Sequence, residues 1–146
     1  MGQHDLVADV GGTNTRVALA IDGKLQTQTI HRYHNTDQTG VVGILQKYLL
    51  EHASEARPEA VCIDVAGPVG VDEGQLTNLD WIITSAELCA ATGASFGAIL
   101  NDMQAQGMAL SHLHGTAFRS IVKGTAQSGN RMVVNIGTGF NSAVIL

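Results

Sequence analysis

The hydrophobic pattern of this chain switches between a period of two and a period near 3.6, and the switches outline its elements. Leu6-Val7-Ala8 and Val17-Ala18-Leu19-Ala20-Ile21 flank a polar, glycine-bearing stretch, which predicts a strand, a tight turn and a returning strand. Strands are expected near 5–11, 15–22 and 25–33, with Asp22-Gly23 turning the second hairpin. Over 38–53, Val41, Ile44, Leu45, Tyr48 and Leu49 recur at helical spacing, Lys47, Glu51 and His52 fall mostly off that face, and Pro58 marks the exit. The run from Ala60 to Ala66 is apolar on both faces except for Asp64. It suits a buried parallel strand that the helix reaches as a crossover.

Gly67-Pro68 ends that strand, and a short hairpin turning near Asp72-Glu73-Gly74 leads to Thr77-Asn78. Thr84 with Glu87 three residues later forms a capping box, Ile83 and Leu88 take the staple positions, and Gly93 is the expected stop. Phe96 to Leu100 predicts a strand closed by Asn101-Asp102, followed by a third helix to about Leu113 and an extended stretch over 118–122. A polar link from Gly124 to Asn130 precedes a strand, Met132 to Ile136, then Gly137-Thr138-Gly139 and a last apolar run. The order βββαβαβα, then strand-turn-strand, predicts an α/β fold with a mixed sheet. Residues 1–123 form the expected first domain, and 124–146 a linker and the first hairpin of a second.

The turn Asp9-Val10-Gly11-Gly12-Thr13-Asn14-Thr15-Arg16 carries the most chemistry. Paired glycines let backbone N–H groups approach a bound anion, Thr13 and Asn14 add short hydrogen-bonding side chains, and Asp9 can face a metal ion or its water shell. This is a phosphate cradle without the GxxxxGK[ST] pattern. The bland reading makes Gly11 and Gly12 plain turn glycines and Asp9 a strand-end polar residue. Arg16, on the returning strand, is expected to brace the loop. Local pattern alone makes Asp102 the N-cap of the third helix, Asn101, Thr77 and Asn78 turn residues, and Trp81 a packing anchor.

A net charge of −5 argues against a nucleic-acid partner, and no apolar stretch reaches membrane-spanning length. Apolar residues at 45% suffice for a real core. Cys62 and Cys89, in apolar surroundings and without CxxC spacing, read as reduced thiols of a cytoplasmic protein. His112 and His114, two apart at a helix end, favour its last carbonyls over a metal. Asp64 has no partner that the sequence names.

These segments together resemble the N-terminal part of the bacterial glucokinases, in the hexokinase–actin–Hsp70 superfamily. The turn from Asp9 to Arg16 resembles the first phosphate motif. Ala66-Gly67-Pro68-Val69 and Thr77-Asn78-Leu79-Asp80-Trp81 resemble the sugar-side loops, Leu100-Asn101-Asp102-Met103 the catalytic segment, and Gly137-Thr138-Gly139 the second phosphate motif. The resemblance implies a ribonuclease-H-like domain and ATP-dependent phosphorylation of glucose. Asp102 would be the general base and Asn101, Asp102, Thr77, Asn78, Gly67 and Pro68 would line the sugar. Asp9, Gly11, Gly12, Thr13, Asn14, Gly137, Thr138 and Gly139 would hold ATP, with Mg²⁺ bound by Asp9 through water. It implies glucose and ATP as partners and is compatible with a homodimer. It also implies that the later sugar-binding segments and the adenosine pocket are missing, so that the 146-residue chain alone is inactive. The family has a further glycine where Asn141 stands. Two alternatives stay open: a kinase of another sugar such as fructose or an N-acetylhexosamine, and an inactive sugar-sensing or partner-binding domain.

Overall fold

The structure, a computed structural model, describes residues 2–125, 128–136 and 140–145. Strand β1 (His4–Val10) pairs antiparallel with β2 (Asn14–Ile21), and β2 pairs with both β3 (Lys24–Leu25) and β4 (His31–His34). Helix α1 (Val41–His52) then crosses to β5 (Ala60–Val65), parallel to β1. A small antiparallel pair, β6 (Glu73–Gln75) and β7 (Ile82–Thr84), precedes helix α2 (Ser85–Thr92) and strand β8 (Phe96–Asn101), parallel to β5. The main sheet runs β3-β2-β1-β5-β8, with β4 off that path on β2. It is the mixed sheet expected from the sequence.

The expected single strand over 25–33 is two strands split by a 3₁₀ turn at Thr27–Thr29. Thr29 causes the break. Its hydroxyl donates to the Gln26 carbonyl at 2.7 Å and accepts from the Leu19 amide at 3.0 Å, so a side chain takes a ladder position on β2. Tyr48 on α1 donates its hydroxyl to the Thr29 carbonyl at 2.9 Å and holds the turn on the helix.

One face of the sheet is closed. Leu6, Ala8 and Val10 of β1, Val17 and Leu19 of β2, and Val61, Ile63 and Val65 of β5 are buried there with Ile44, Leu45 and Tyr48 of α1 and Leu88 of α2. Fully burying a side chain of this size contributes about 1.5–3 kcal/mol, which makes this face the main stabiliser of the sheet. Trp81 packs against this core as an anchor. The alternate positions, Val7, Asp9, Cys62 and Asp64, lie on the other face and are only partly covered or exposed. The apolar run of β5 is therefore buried on one side rather than two, and Asp64 sits on the more open side.

The α2 signals act as read. Thr84 accepts from the Glu87 amide at 3.2 Å, the Thr84 amide donates to the Glu87 carboxylate at 2.9 Å, and Gly93 closes the helix in the left-handed conformation, φ 75°.

The chain divides into two compact units, Met1–Asp102 and Met103–Leu146. Helix α3 (Asp102–Ala109) begins at the division and ends short of the expected Leu113, in a turn where His112 N–H donates to the Ala109 carbonyl at 2.8 Å. The stretch 118–122 forms no strand; Ile121 and Val122 are exposed. In the second unit, β9 (Arg131–Ile136) and β10 (Phe140–Ile145) form an antiparallel hairpin, and Gly107 of α3 lies against Ile145. Asn141 sits within β10 opposite Asn135, so it occupies extended backbone rather than the left-handed region. Gly137, Thr138 and Gly139 lie outside the described residues.

Candidate active site

Strands β1, β5 and β8 run parallel and end in one row, because Val10 pairs with Val65 and Val65 with Asn101. Ligands of open α/β sheets bind beyond the carboxyl ends of such strands. Here that edge carries the Gly11–Thr13 turn, the Ala66–Pro68 loop and Asp102 together.

The glycine turn is closed by the Gly11 amide donating to the Asn14 carbonyl at 3.0 Å. Arg16 pairs with Asp9 at 3.0 Å directly across the β1–β2 ladder, so it braces the strand that leads into the turn. Asn35, which sequence reading missed, supports the turn from beneath. Its side-chain amide donates to the Gly11 carbonyl at 2.7 Å, its oxygen accepts from Thr15 Oγ1 at 2.9 Å, and its backbone N–H donates to the Thr13 carbonyl at 3.0 Å. Only long-range pairing reveals this role, since Asn35 is 24 positions from Gly11.

The Ala66–Val69 and Thr77–Trp81 segments lie against one another. Thr77 donates both its amide, at 3.2 Å, and its hydroxyl, at 3.1 Å, to the Ala66 carbonyl, while the Gln75 amide donates to the Pro68 carbonyl at 3.0 Å. Gly67 is needed at this crossing, because a Cβ there would collide with the Gln75 carbonyl. Asn101 reaches over from β8 and donates to the Gly67 carbonyl at 2.9 Å. The two halves of the site meet at Gly12, where a Cβ would lie 3.0 Å from the side-chain nitrogen of Asn78. Gly11, Gly12, Gly67, Pro68, Thr77, Asn78, Asn101 and Asp102 thus share one edge of the first unit. Asp102 is in the first turn of α3.

Asp64 stands beside Asp9 in the β1–β5 register. Burial, and then the carboxylates of Asp9 and Asp102, push its carboxyl up to about 7. Burial also raises the Cys62 thiol, reinforced by Asp64. No three His, Cys, Asp or Glu side chains among the described residues converge to hold a metal ion. An ion such as Mg²⁺, which keeps most of its waters and takes one or two carboxylates plus substrate oxygens, would need no such cluster. Asn14 Oδ1 is buried with no donor among the described residues, and an ion-bound water is a donor of the kind it lacks.

The glucokinase family model matches residues 6–146. A glucokinase from Brucella abortus is 32% identical over 139 residues, covering 94% of this chain and 40% of that protein. The crystal structure of a glucokinase from an Antarctic psychrotroph superposes on all of this chain and 47% of its own, with TM-score 0.83 and 28% identity. A glucokinase of the ROK family from Streptomyces griseus, solved with glucose and AMPPNP, shares the fold at 17% identity and TM-score 0.63, covering 98% of this chain and 44% of its own. The chain thus spans less than half the length of these relatives, and with its match over residues 6–146 it belongs to the glucokinase family.

Proposed function

We propose that this chain supplies the sugar-holding and first phosphate-holding parts of an ATP-dependent glucose kinase, with residues 1–123 as its first domain and 124–146 as the linker and start of the next. The observation that carries the reading is the shared edge, where the glycine turn meets Asn78 and Asn101 is tied to Gly67. Thr77, Asn78, Asn101, Gly67 and Pro68 orient the sugar. Asp102 accepts the proton of the 6-hydroxyl while that oxygen attacks the γ-phosphorus and the bond to the ADP oxygen breaks. Gly11, Gly12, Thr13 and Asn14 face the phosphates, and the family resemblance assigns Gly137, Thr138 and Gly139 to ATP as well. Mg²⁺ supplies charge neutralisation at the phosphate oxygens, and Asp9 would hold it through water. The glucose- and AMPPNP-bound Streptomyces griseus relative supports glucose and ATP as ligands.

The test is Asp102→Asn in the complete polypeptide, assayed by coupled glucose phosphorylation. Turnover should fall by about 10²-fold or more, the scale of general-base catalysis, with sugar affinity roughly kept. Near-parental turnover overturns the assignment. A panel of hexoses and N-acetylhexosamines in the same assay separates glucose from the alternative sugars, and sugar binding without any turnover would favour a sensing domain. The 146-residue chain, which spans 40% of the Brucella abortus relative, should alone show no phosphorylation, since part of an enzyme does not position two substrates.

A further inference from the structure

We infer that Asn35 is a positioning residue that aims the phosphate loop, an inference that rests on the phosphate reading of Gly11–Asn14. Asn35 is 2% exposed, and it opens a 3₁₀ turn at Asn35–Asp37 next to β4. It makes three bonds to the β1–β2 turn: to the Gly11 carbonyl, the Thr13 carbonyl and the Thr15 hydroxyl.

The pattern of these bonds matters more than their number. The peptide unit is planar, and its C=O and N–H point in opposite directions when the bond is trans. The structure holds no cis peptide bond among the described residues. Fixing the Gly11 carbonyl toward Asn35 therefore turns the Gly12 N–H away from it. Fixing the Thr13 carbonyl does the same to the Asn14 N–H. Asn35 thus grips the turn by its two carbonyls and presents the two alternate amides on the opposite side. Those amides are the groups by which such a turn holds an anion. Thr15 completes the device. Its hydroxyl donates to Asn35 Oδ1, which orients the carboxamide so that its nitrogen faces Gly11.

A buried asparagine that only satisfied its own polar atoms would affect stability and both substrates alike. An aiming residue affects the nucleotide selectively. Asn35→Asp separates the two roles, because it keeps the acceptor for Thr15 and removes the donor to Gly11. In the complete polypeptide it should raise KM for ATP at least fivefold while KM for glucose stays within twofold. Thr15→Val, which removes only the hydroxyl, should raise KM for ATP in the same direction, and Thr15→Ser should restore the parental value. Thr15→Val carries the test if the Asn35 variant does not fold. Gly12→Val is the control for the underlying reading. If Gly12→Val raises KM for ATP but neither Asn35→Asp nor Thr15→Val does, the Asn35 inference is wrong and the phosphate loop stands. If Gly12→Val leaves KM for ATP unmoved, the loop reading and the inference fall together. Parallel rises in both KM values that track the loss of melting temperature also overturn the aiming role.

Discussion

Replacing Asp64 by Asn should stabilise the first unit, and by an amount that depends on pH. Asn has nearly the shape of the protonated carboxyl and cannot ionise. The Asp64 carboxyl is pushed from an ordinary 3.8 up to about 7 by burial and by the carboxylates of Asp9 and Asp102, with Arg16 engaged on Asp9. Below about pH 4 the group is protonated in both folded and unfolded chains and adds nothing. Between there and about pH 7 the folded chain holds a proton that the unfolded chain has lost, so stability falls as pH rises. Above pH 7 the charge is present in both states and the full cost is felt. At about 1.4 kcal/mol per pH unit the gap sets an upper limit of about 4 kcal/mol. Asp64 is partly open to solvent, and screening reduces this to about 2 kcal/mol. For a unit of this size that corresponds to a gain of roughly 8–16 °C in Tm. The assay is thermal unfolding followed by circular dichroism at pH 4, 5, 6, 7 and 8, on parent and Asp64→Asn. The advantage of the variant should be near zero at pH 4 and grow to its full size by pH 8. An advantage independent of pH, or none at pH 8, would refute the argument that an ionised Asp64 burdens the fold.

Gly67→Ala forces a Cβ into the Gln75 carbonyl and should cost about 3 kcal/mol in urea unfolding; a change under about 0.5 kcal/mol would mean that the crossing of the two loops is looser than described. Thr84→Ala removes the acceptor for the Glu87 amide and should cost about 1 kcal/mol by the same measurement. Gly12→Val crowds Asn78 as well as the proposed phosphate path, so KM for ATP should rise most, with a smaller rise for glucose; an effect on glucose alone would place the turn on the sugar side.

Much of the fold is legible in the sequence because its signals are local. Val41, Ile44, Leu45 and Tyr48 repeat at helical spacing and are the residues α1 buries. Thr84, Glu87 and Gly93 mark the ends of α2 through bonds spanning three or four residues. The break in the third strand was not legible, since it depends on Thr29 meeting Leu19 and Tyr48 from distant parts of the chain. The stretch 118–122 has strand-like residues without a strand to pair with, and propensity alone does not make a ladder. In the site, Gly11, Gly12 and Asn101 announce themselves as strand-end polar and glycine residues. Asn35 does not, because an asparagine after a strand reads as a turn until the loop it supports is folded beside it. Asp64 was visible as an oddity, but its neighbour Asp9 is set by parallel register, which no local spacing encodes.

The single row formed by Val10, Val65 and Asn101 is set by strand length, which makes this edge intolerant of deletions within the strands. Losing one residue from β5 has two effects at once. It draws the Ala66–Pro68 loop back by about 3.3 Å relative to its neighbours, and it turns every later β5 side chain to the opposite face. Asp64 would be driven into the closed core, and Gly67 would no longer meet Asn101. Natural length variation in the chain should therefore gather in the exposed turns, such as Asp22-Gly23 and Gly70–Asp72, and spare the strands that keep the row level.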